Sequence, residues 1–290
     1  MPAEKRSSAA SRWVPVGLLL ALAVVAVPLT LGSQSARTGV AFFQRQAPIN
    51  DVEKAFARAA TLDPINSSAQ LQYGDLLVQL GVQLKDQVRL TSGGAHLERA
   101  LELDRFNPDI RMLLANYYKA VGDNERAMVM LEEAVAYNPV SLQVYQRAVA
   151  HGLDQTAAHL GAKDLGGARD YLKRTEALFS KFDKMRASQP HEAALLKFVQ
   201  DDPMMPVYRA QYLLFAGDWD GASALLKGME QVADPAVRGD VLMWSAALAI
   251  QRGDAAGAQQ LVNTLLPLDA KKAEQVGTLA NLLGESKGIR

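Results

Sequence analysis

Residues 107–139 have the pattern of two helices joined by a tight turn. Small and apolar residues recur at helical spacing on both sides of a Gly-Asp pair, and Asn-Pro stands at each end of the segment. Because a glycine followed by a capping residue ends one helix and starts the next, the pattern predicts a helix-turn-helix unit. The positions that define it are Leu114, Ala115, Tyr118, Gly122, Ala127, Leu131, Ala134 and Pro139.

This unit resembles a tetratricopeptide repeat. That family has a large, a small and an aromatic residue on the first helix of each repeat and a glycine at the turn. Two alanines flank a bulky residue on the second helix, and a proline closes the repeat. The positions above match in register. The resemblance implies that small residues let the paired helices approach closely and that successive pairs stack. The expected fold is therefore all-α, a right-handed α-solenoid of such repeats after one N-terminal transmembrane helix.

Weaker copies of the unit occur on both sides of it, as expected because one repeat cannot bury its own apolar faces. Upstream, residues 52–64 have the pattern of a second helix with its closing proline, and residues 73–108 that of a further pair. Downstream, the Gly-Asp turn recurs at Gly217 and Gly253. The glycine pairs at 93–94 and 166–167 are interpreted as helix-breaking turns, with extra sequence around residues 85–94.

The N-terminus carries a long apolar segment. Residues 14–31 contain no charged residue and would span about 27 Å as a helix, close to the bilayer hydrocarbon core of about 30 Å. Basic residues precede the segment, which favours a cytoplasmic N-terminus. Signal-peptide cleavage after Ser35 is the alternative, but the segment is longer than the usual signal-peptide core. We expect a single-pass anchor in the cytoplasmic (inner) membrane, with the repeats extracytoplasmic.

Four segments follow from these patterns. Residues 1–12 are predicted to form a basic cytoplasmic tail and residues 13–35 a transmembrane signal-anchor helix. Residues 36–200 are predicted to form an N-terminal group of repeats, and residues 201–290 a C-terminal pair of repeats. The last apolar positions, within residues 270–286, have the spacing of an amphipathic helix that caps the end of the stack.

Composition and motifs exclude several classes of function. The chain has no Cys, and therefore no thiolate metal site and no Cys nucleophile. It has 31 basic and 31 acidic residues, without the positive footprint of a nucleic-acid binder. The four histidines are scattered and are interpreted as surface or helix-end residues. Since no catalytic or phosphate-binding motif is present either, we expect no enzyme activity, no metal, no cofactor and no nucleic-acid partner.

Stacked helix pairs form a concave surface lined by their first helices. By the resemblance, the residues on that surface form a candidate partner-binding groove, which is mostly apolar and rich in Met. Met112 stands where family members that bind acidic C-terminal peptides need a Lys, so that mode is not expected. The same residues could instead pack against the C-terminal helix or a neighbouring repeat. They are Met112, Leu113, Asn116, Met204, Val207, Tyr208, Gln211, Met243 and Trp244.

The order of segments also resembles the extracytoplasmic repeat tail of O-antigen ligase and polymerase-type proteins. The multi-span catalytic part of those proteins has no counterpart here, so the resemblance implies an accessory role in cell-envelope or surface-polysaccharide assembly. The expected function is a membrane-anchored scaffold that binds protein partners. The alternative is an extracytoplasmic small-ligand or glycan-binding protein that uses the concave apolar groove.

Overall fold

The computed structural model describes residues 9–188 and 202–289, with side chains from residue 27 onward. These residues form thirteen α-helices and one short 3-10 helix, and the described ranges contain no β-strand. The predicted all-α fold class is therefore confirmed. The helices are α1 Ala9–Gln44, α2 Ile49–Leu62, α3 Ser67–Leu84, α4 Gln87–Leu103, α5 Pro108–Ala120, α6 Asn124–Tyr137, α7 Leu142–Gly161, α8 Leu165–Ser188, α9 Met204–Ala216, α10 Trp219–Gly228, α11 Pro235–Gln251, α12 Ala255–Leu265, α13 Ala270–Ser286 and the 3-10 helix Lys287–Ile289.

The Gly-Asp turns predicted downstream join paired helices. Gly217 and Gly253 are in the left-handed conformation, with φ of 78° and 79°, which a residue without a Cβ enters at little cost. The aspartate after each glycine caps the next helix. Asp218, for example, accepts a hydrogen bond from the Gly221 backbone N–H at 3.0 Å. Each turn therefore ends one helix and fixes the start of its partner.

Two further turns have a lysine in place of the glycine. Lys85 and Lys163 are left-handed, with φ of 54° and 59°. The next residue is again a capping aspartate: Asp86 accepts the backbone N–H groups of Val88 and Arg89 at 3.0 and 3.1 Å. These capping hydrogen bonds from the Arg89 backbone and side chain hold the pKa of Asp86 below its usual range. The repeats around α3–α4 and α7–α8 thus use the same turn without its glycine.

The glycine pairs at 93–94 and 166–167 lie inside α4 and α8, so their interpretation as helix-breaking turns is wrong. Gly93 faces α3, where an added Cβ would come 2.8 Å from both the Gly74 carbonyl oxygen and the Val78 backbone nitrogen. The residue is glycine because the two helices approach closely at this point. The extra sequence predicted around residues 85–94 is the turn at residues 85–86 followed by the first half of α4.

The chain forms two compact units, residues 1–123 and residues 124–290. The first contains α1–α5 and the second contains α6–α13. Within each unit, helices adjacent in sequence pack against one another. The boundary predicted between residues 200 and 201 adjoins residues 189–201, which lie outside the described residues, so it stays a prediction.

In the first unit, α1 is one helix of 36 residues whose C-terminal part packs against α2. A Cβ on Gly39 would come 2.8 Å from the ring of Phe56, and one on Gly32 would come 2.9 Å from the Cβ of Asp63. The earlier residue of α1, Gly32, therefore contacts the later residue, Asp63, which follows α2, so the two helices are antiparallel. The C-terminal part of α1 is thus the first helix of a repeat, a role that the sequence analysis does not assign to it.

Among the described residues, no helix is long and apolar enough to cross a membrane. The apolar segment 14–31 falls mostly on residues 9–26, for which the structure gives the helical backbone of α1 and no side chains. The transmembrane helix over residues 13–35 therefore remains a prediction from the sequence.

The second unit contains three pairs of consecutive helices that pack against each other, α7–α8, α9–α10 and α11–α12. In the second and third of these pairs, the small residues Ala210, Ala222 and Ala246 are fully buried. In the first of these pairs, α7 and α8 are 20 and 24 residues long, which makes it the longest pair of the unit. Fully buried small residues allow the close helix packing that the repeat pattern predicts.

His151 lies in the middle of α7 and is only 2% exposed, so the interpretation of all four histidines as surface or helix-end residues is wrong for this one. Its Nε2 lies 3.1 Å from the Asn124 carbonyl oxygen, and its ring meets that of Tyr171 edge-on with centroids 6.5 Å apart. A hydrogen bond to the backbone and aromatic packing explain why a polar ring is tolerated here.

Candidate partner-binding surface

The structure divides the predicted groove residues between the two units. Met112, Leu113 and Asn116 lie on α5 in the first unit, and the other six lie on α9 and α11 in the second. The three residues on α5 differ in exposure: Met112 is 8% exposed, Leu113 is half-buried and Asn116 is exposed. Asn116, with Leu113 beside it, is therefore the accessible part of the predicted groove in the first unit.

In the second unit, half of the predicted groove residues belong to the core. Val207, Met243 and Trp244 are no more than 7% exposed, and the ring of Trp244 meets that of Phe215 edge-on with centroids 5.7 Å apart. The remaining three, Met204, Tyr208 and Gln211, are half-buried.

The C-terminal helix covers the first helices of the second unit. α13 contacts α7, α9 and α11, the first helices of the three pairs, and its contacts with α11 are more extensive than those with α12. Its buried face includes Val276, Ala280 and Leu283. The prediction that this amphipathic helix closes the end of the stack is therefore incomplete, because the helix also packs along the first helices of the three pairs.

Polar groups fix α13 in this position. Lys272 forms an ion pair with Asp240 of α11 at 2.8 Å, and Gln251 donates a hydrogen bond to the Ala280 carbonyl at 2.6 Å. Beyond α13, Arg169 of α8 donates to the Ile289 carbonyl at 3.0 Å. The partners lie on two different helices, α11 and α8, so the C-terminal segment is an integral part of the unit.

Tyr208 lies in an acidic environment. Burial is the main cause that raises the pKa of its hydroxyl, and the carboxylates of Asp154, Asp240 and Asp202 raise it further. Asp202 also accepts the backbone N–H groups at the start of α9, at 3.1 and 3.2 Å. Burial and the surrounding carboxylates therefore both favour the protonated form of the Tyr208 hydroxyl.

Two clefts occur in the second unit, away from the predicted groove residues. One, of about 200 Å³, lies between α10, α11 and α12 and is lined by charged residues that include Lys227, Glu230 and Arg252. The other is an open depression of about 540 Å³ beside Trp219 and Lys287. Neither includes any of the nine predicted positions.

Within the described ranges, no group of three or more His, Asp or Glu side chains could hold a metal ion. Accessible side chains on paired helices can form hydrogen bonds and bury apolar contacts, which is the chemistry of a binding surface.

No protein-family model and no curated protein sequence matches this chain. Several solved structures resemble it. PilF from Pseudomonas aeruginosa has a TM-score of 0.51 at 14% identity, over 86% of this chain and 97% of that one. PilW, described as a widely conserved type IV pilus biogenesis factor, has a TM-score of 0.50 at 17% identity, over 84% of this chain and 97% of that one.

A third similar structure is YrrB, described as a TPR protein with an unusual peptide-binding site. It has a TM-score of 0.48 at 14% identity, over 78% of this chain and 99% of that one. PilF and PilW are also tetratricopeptide repeat proteins. The resemblance to tetratricopeptide repeats found in the sequence is therefore confirmed at the level of the fold: within each unit, the described residues form helix pairs of this kind.

Proposed function

We propose that this protein is a membrane-anchored scaffold that binds protein partners on the extracytoplasmic side of the cytoplasmic membrane. The observation that carries the proposal is the continuity of α1, a helix of 36 residues. Its N-terminal half coincides with the apolar segment 14–31, and its C-terminal part is the first helix of a repeat. One element thus joins the predicted anchor to the interaction fold without a linker.

The junction within α1 supports anchoring without cleavage. Cleavage after Ser35 would remove Gly32 from its contact with Asp63 and would leave the rest of α1 without its first turns beside α2. A helix shortened to residues 36–44 would be only about 13 Å long. Retention of the apolar segment keeps the first repeat complete.

The partner-binding face is proposed to lie on the first helices of the first unit, at Asn116 and Leu113. The corresponding face of the second unit is covered by α13. Asn116 is exposed, and a side-chain amide both donates and accepts hydrogen bonds, so it can pair with the backbone of an extended partner segment. Leu113 beside it supplies half-buried apolar area for a partner side chain.

The proposed setting is the assembly of the cell envelope or of surface polysaccharide. Two features support it: the order of anchor and repeats, which resembles the tail of O-antigen ligase-type proteins, and the fold shared with PilW, described as a type IV pilus biogenesis factor. The partner itself is proposed only by class, a protein that presents an extended segment with at least one apolar side chain.

Topology is tested first. A C-terminal epitope on the full chain should be degraded by protease added to spheroplasts, and an N-terminal epitope should be protected until the membrane is permeabilised. A protected C-terminal epitope would refute the proposed orientation.

Partner binding is tested by crosslinking in cells, followed by identification of the captured proteins. The variant Asn116→Ala with Leu113→Gln should lose partners that the wild type captures. The matched control is Asn50→Ala, because Asn50 is an equally exposed amide on α2, a second helix of the same unit. Met204→Glu with Tyr208→Ala probes the half-buried face of the second unit. If only this last variant loses partners, the binding face lies in the second unit and the assignment to α5 is wrong.

A further inference from the structure

The contact between Gly32 and Asp63 sets the position of the turn between α2 and α3 relative to the apolar segment. Asp63 follows the last residue of α2, and an added Cβ on Gly32 would lie 2.9 Å from its Cβ. Because α2 runs antiparallel to α1, the turn residues 64–66 lie beyond Gly32 on the side of the N-terminus of α1. Gly32 directly follows the apolar segment 14–31, so this turn lies beside the end of that segment.

The turn between α4 and α5 returns to the same edge of the first unit. In the α3–α4 pair, added Cβ atoms would meet the partner helix at Leu97 from Gly74 and at Leu90 from Gly81. These contacts run in opposite directions along the two helices, so α3 leads away from the edge that holds Asn66 and α4 leads back to it. Residues 104–107, which follow α4, therefore lie at the edge where α3 begins.

Both turns have the same internal hydrogen bonds. In the first, the side-chain amide of Asn66 donates to Asp63 at 3.0 Å, and its oxygen accepts the Ala69 backbone N–H at 3.1 Å. In the second, Asn107 donates to Asp104 at 2.9 Å and accepts the backbone N–H of Asp109 at 2.9 Å. The aspartate and asparagine side chains of each turn are thus bonded within the turn.

Each turn also exposes a large apolar side chain directly before its asparagine. Ile65 is 65% exposed and Phe106 is 72% exposed. Tips with apolar side chains and internally bonded polar groups suit a membrane interface, where apolar side chains are buried and polar groups without partners are costly. Arg105, exposed beside Phe106, adds a charge that attracts lipid phosphate.

We infer that Ile65 and Phe106 insert into the extracytoplasmic surface of the membrane that holds α1. The inference rests on the proposed anchor. The occupant of this edge is a phospholipid surface, because the edge adjoins the end of a segment long enough to span the bilayer. Insertion at two turns holds the first unit against the membrane at three points: the anchor helix and the two tips.

The opposite edge of the same unit supplies matched control sites. Leu84 and Val88 flank the turn between α3 and α4 and are 61% and 79% exposed. They are as apolar and as accessible as the proposed tips. The helix α3, about 27 Å long, separates them from the edge that holds Ile65, so they cannot reach the same membrane surface.

The test uses the absence of Cys from the natural chain, which allows a single nitroxide label to be placed at each site. The full chain is reconstituted in vesicles of phosphatidylethanolamine and phosphatidylglycerol, with the label on Ile65→Cys, Phe106→Cys, Leu84→Cys, Val88→Cys or Leu20→Cys. Collision of each label with oxygen, which concentrates in lipid, is compared with collision with a water-soluble nickel chelate. Leu20 reports on the anchor itself.

The expected result is a several-fold higher ratio of oxygen to nickel collision at positions 65 and 106 than at positions 84 and 88, with the highest ratio at position 20. If position 20 is in lipid while positions 65 and 106 match 84 and 88, the insertion is refuted and the anchor stands. If position 20 is also in water, both fail. Loss of collision with both reagents at 65 and 106 would indicate contact with protein and would overturn the lipid assignment.

Discussion

Lys272 of α13 pairs with Asp240 of α11, with its Nζ 2.8 Å from Oδ1 and with the two side chains only 22% and 21% exposed. The same ammonium group donates to the Ala236 carbonyl at 2.9 Å. One side chain therefore joins the C-terminal helix both to a carboxylate and to the backbone of the helix beneath it. Because both side chains are mostly buried, removal of one partner costs more than it does in an ordinary surface ion pair.

Lys272→Met should destabilise the protein by about 1–2 kcal/mol, because it leaves the carboxylate of Asp240 without its partner. Urea denaturation measures the loss, and hydrogen exchange should become faster across α13. The control is Lys271→Met, since Lys271 is the exposed neighbour on the same helix. Equal stability of the two variants would show that α13 does not depend on the pair.

Gly93→Ala should cost about 1–3 kcal/mol, because the added methyl group overlaps backbone atoms of α3 that cannot move aside independently. Gly277→Ala is the matched variant. Gly277 lies in the interior of α13, and a Cβ there meets nothing within 4 Å, so this change should stabilise by about 0.5–1 kcal/mol through helix propensity. Thermal unfolding of both variants distinguishes the close approach of α4 to α3 at Gly93 from the general effect of replacing a helical glycine by alanine. A Gly93→Ala protein as stable as the wild type would contradict this close approach.

Lys85→Gly and Lys163→Gly should each stabilise the protein by up to about 1 kcal/mol, since a left-handed residue with a Cβ is strained. Lys85→Ala and Lys163→Ala remove the charge but keep the Cβ, and should bring no such gain. Unfolding free energies from denaturant titration give the comparison. A gain from alanine equal to that from glycine would mean that the charge, and not the backbone conformation, is responsible.

Ionisation of Tyr171 should lower the stability of the folded protein as the pH rises above 10. Burial and the neighbouring Glu125 raise the pKa of its hydroxyl to about 12 from an ordinary value of 10.0. The folded state thus holds the phenol proton more tightly than the unfolded state does. The stability that this contributes is fully present below pH 10 and is lost as the pH rises towards 12.

The control for this pH dependence is Tyr171→Phe, which keeps the ring and removes the ionisable group. The stability of the wild type should fall faster than that of the variant between pH 10 and 12, and tyrosinate absorbance should show one late-titrating group missing from the variant. Parallel stability curves would exclude Tyr171 as the source. The other tyrosines are common to both chains and cancel in the comparison.

The sequence predicts most of the repeat fold because its turns and small residues act locally. Gly217 and Gly253 end their helices because glycine adopts the left-handed conformation at little cost. The buried alanines recur at the spacing expected of one face of a helix. The turns at Lys85 and Lys163 cannot be found in this way, since lysine gives no sign that its backbone is left-handed. The signal that remained was the capping aspartate after each lysine, which matches the aspartate of the Gly-Asp turns.

Tertiary packing explains what the sequence does not predict. A glycine within a helix and a glycine that ends one look alike until the partner is known, and the partner of Gly93 is a backbone on another helix. The amphipathic spacing of α13 shows which of its faces is apolar, but not that this face meets the first helices of three pairs.

Because α1 is one continuous helix, the rotation of the first unit about the axis of α1 depends on the number of residues that precede its contacts with α2. Gly32 and Gly39 bind α2 from one face of α1, so any residue inserted between the apolar segment and Gly32 would turn the first unit by about 100° around the helix axis and raise it by about 1.5 Å. In the proposed anchored protein, the number of residues in that junction, rather than their chemical identity, decides which side of the first unit faces a given direction in the plane of the membrane.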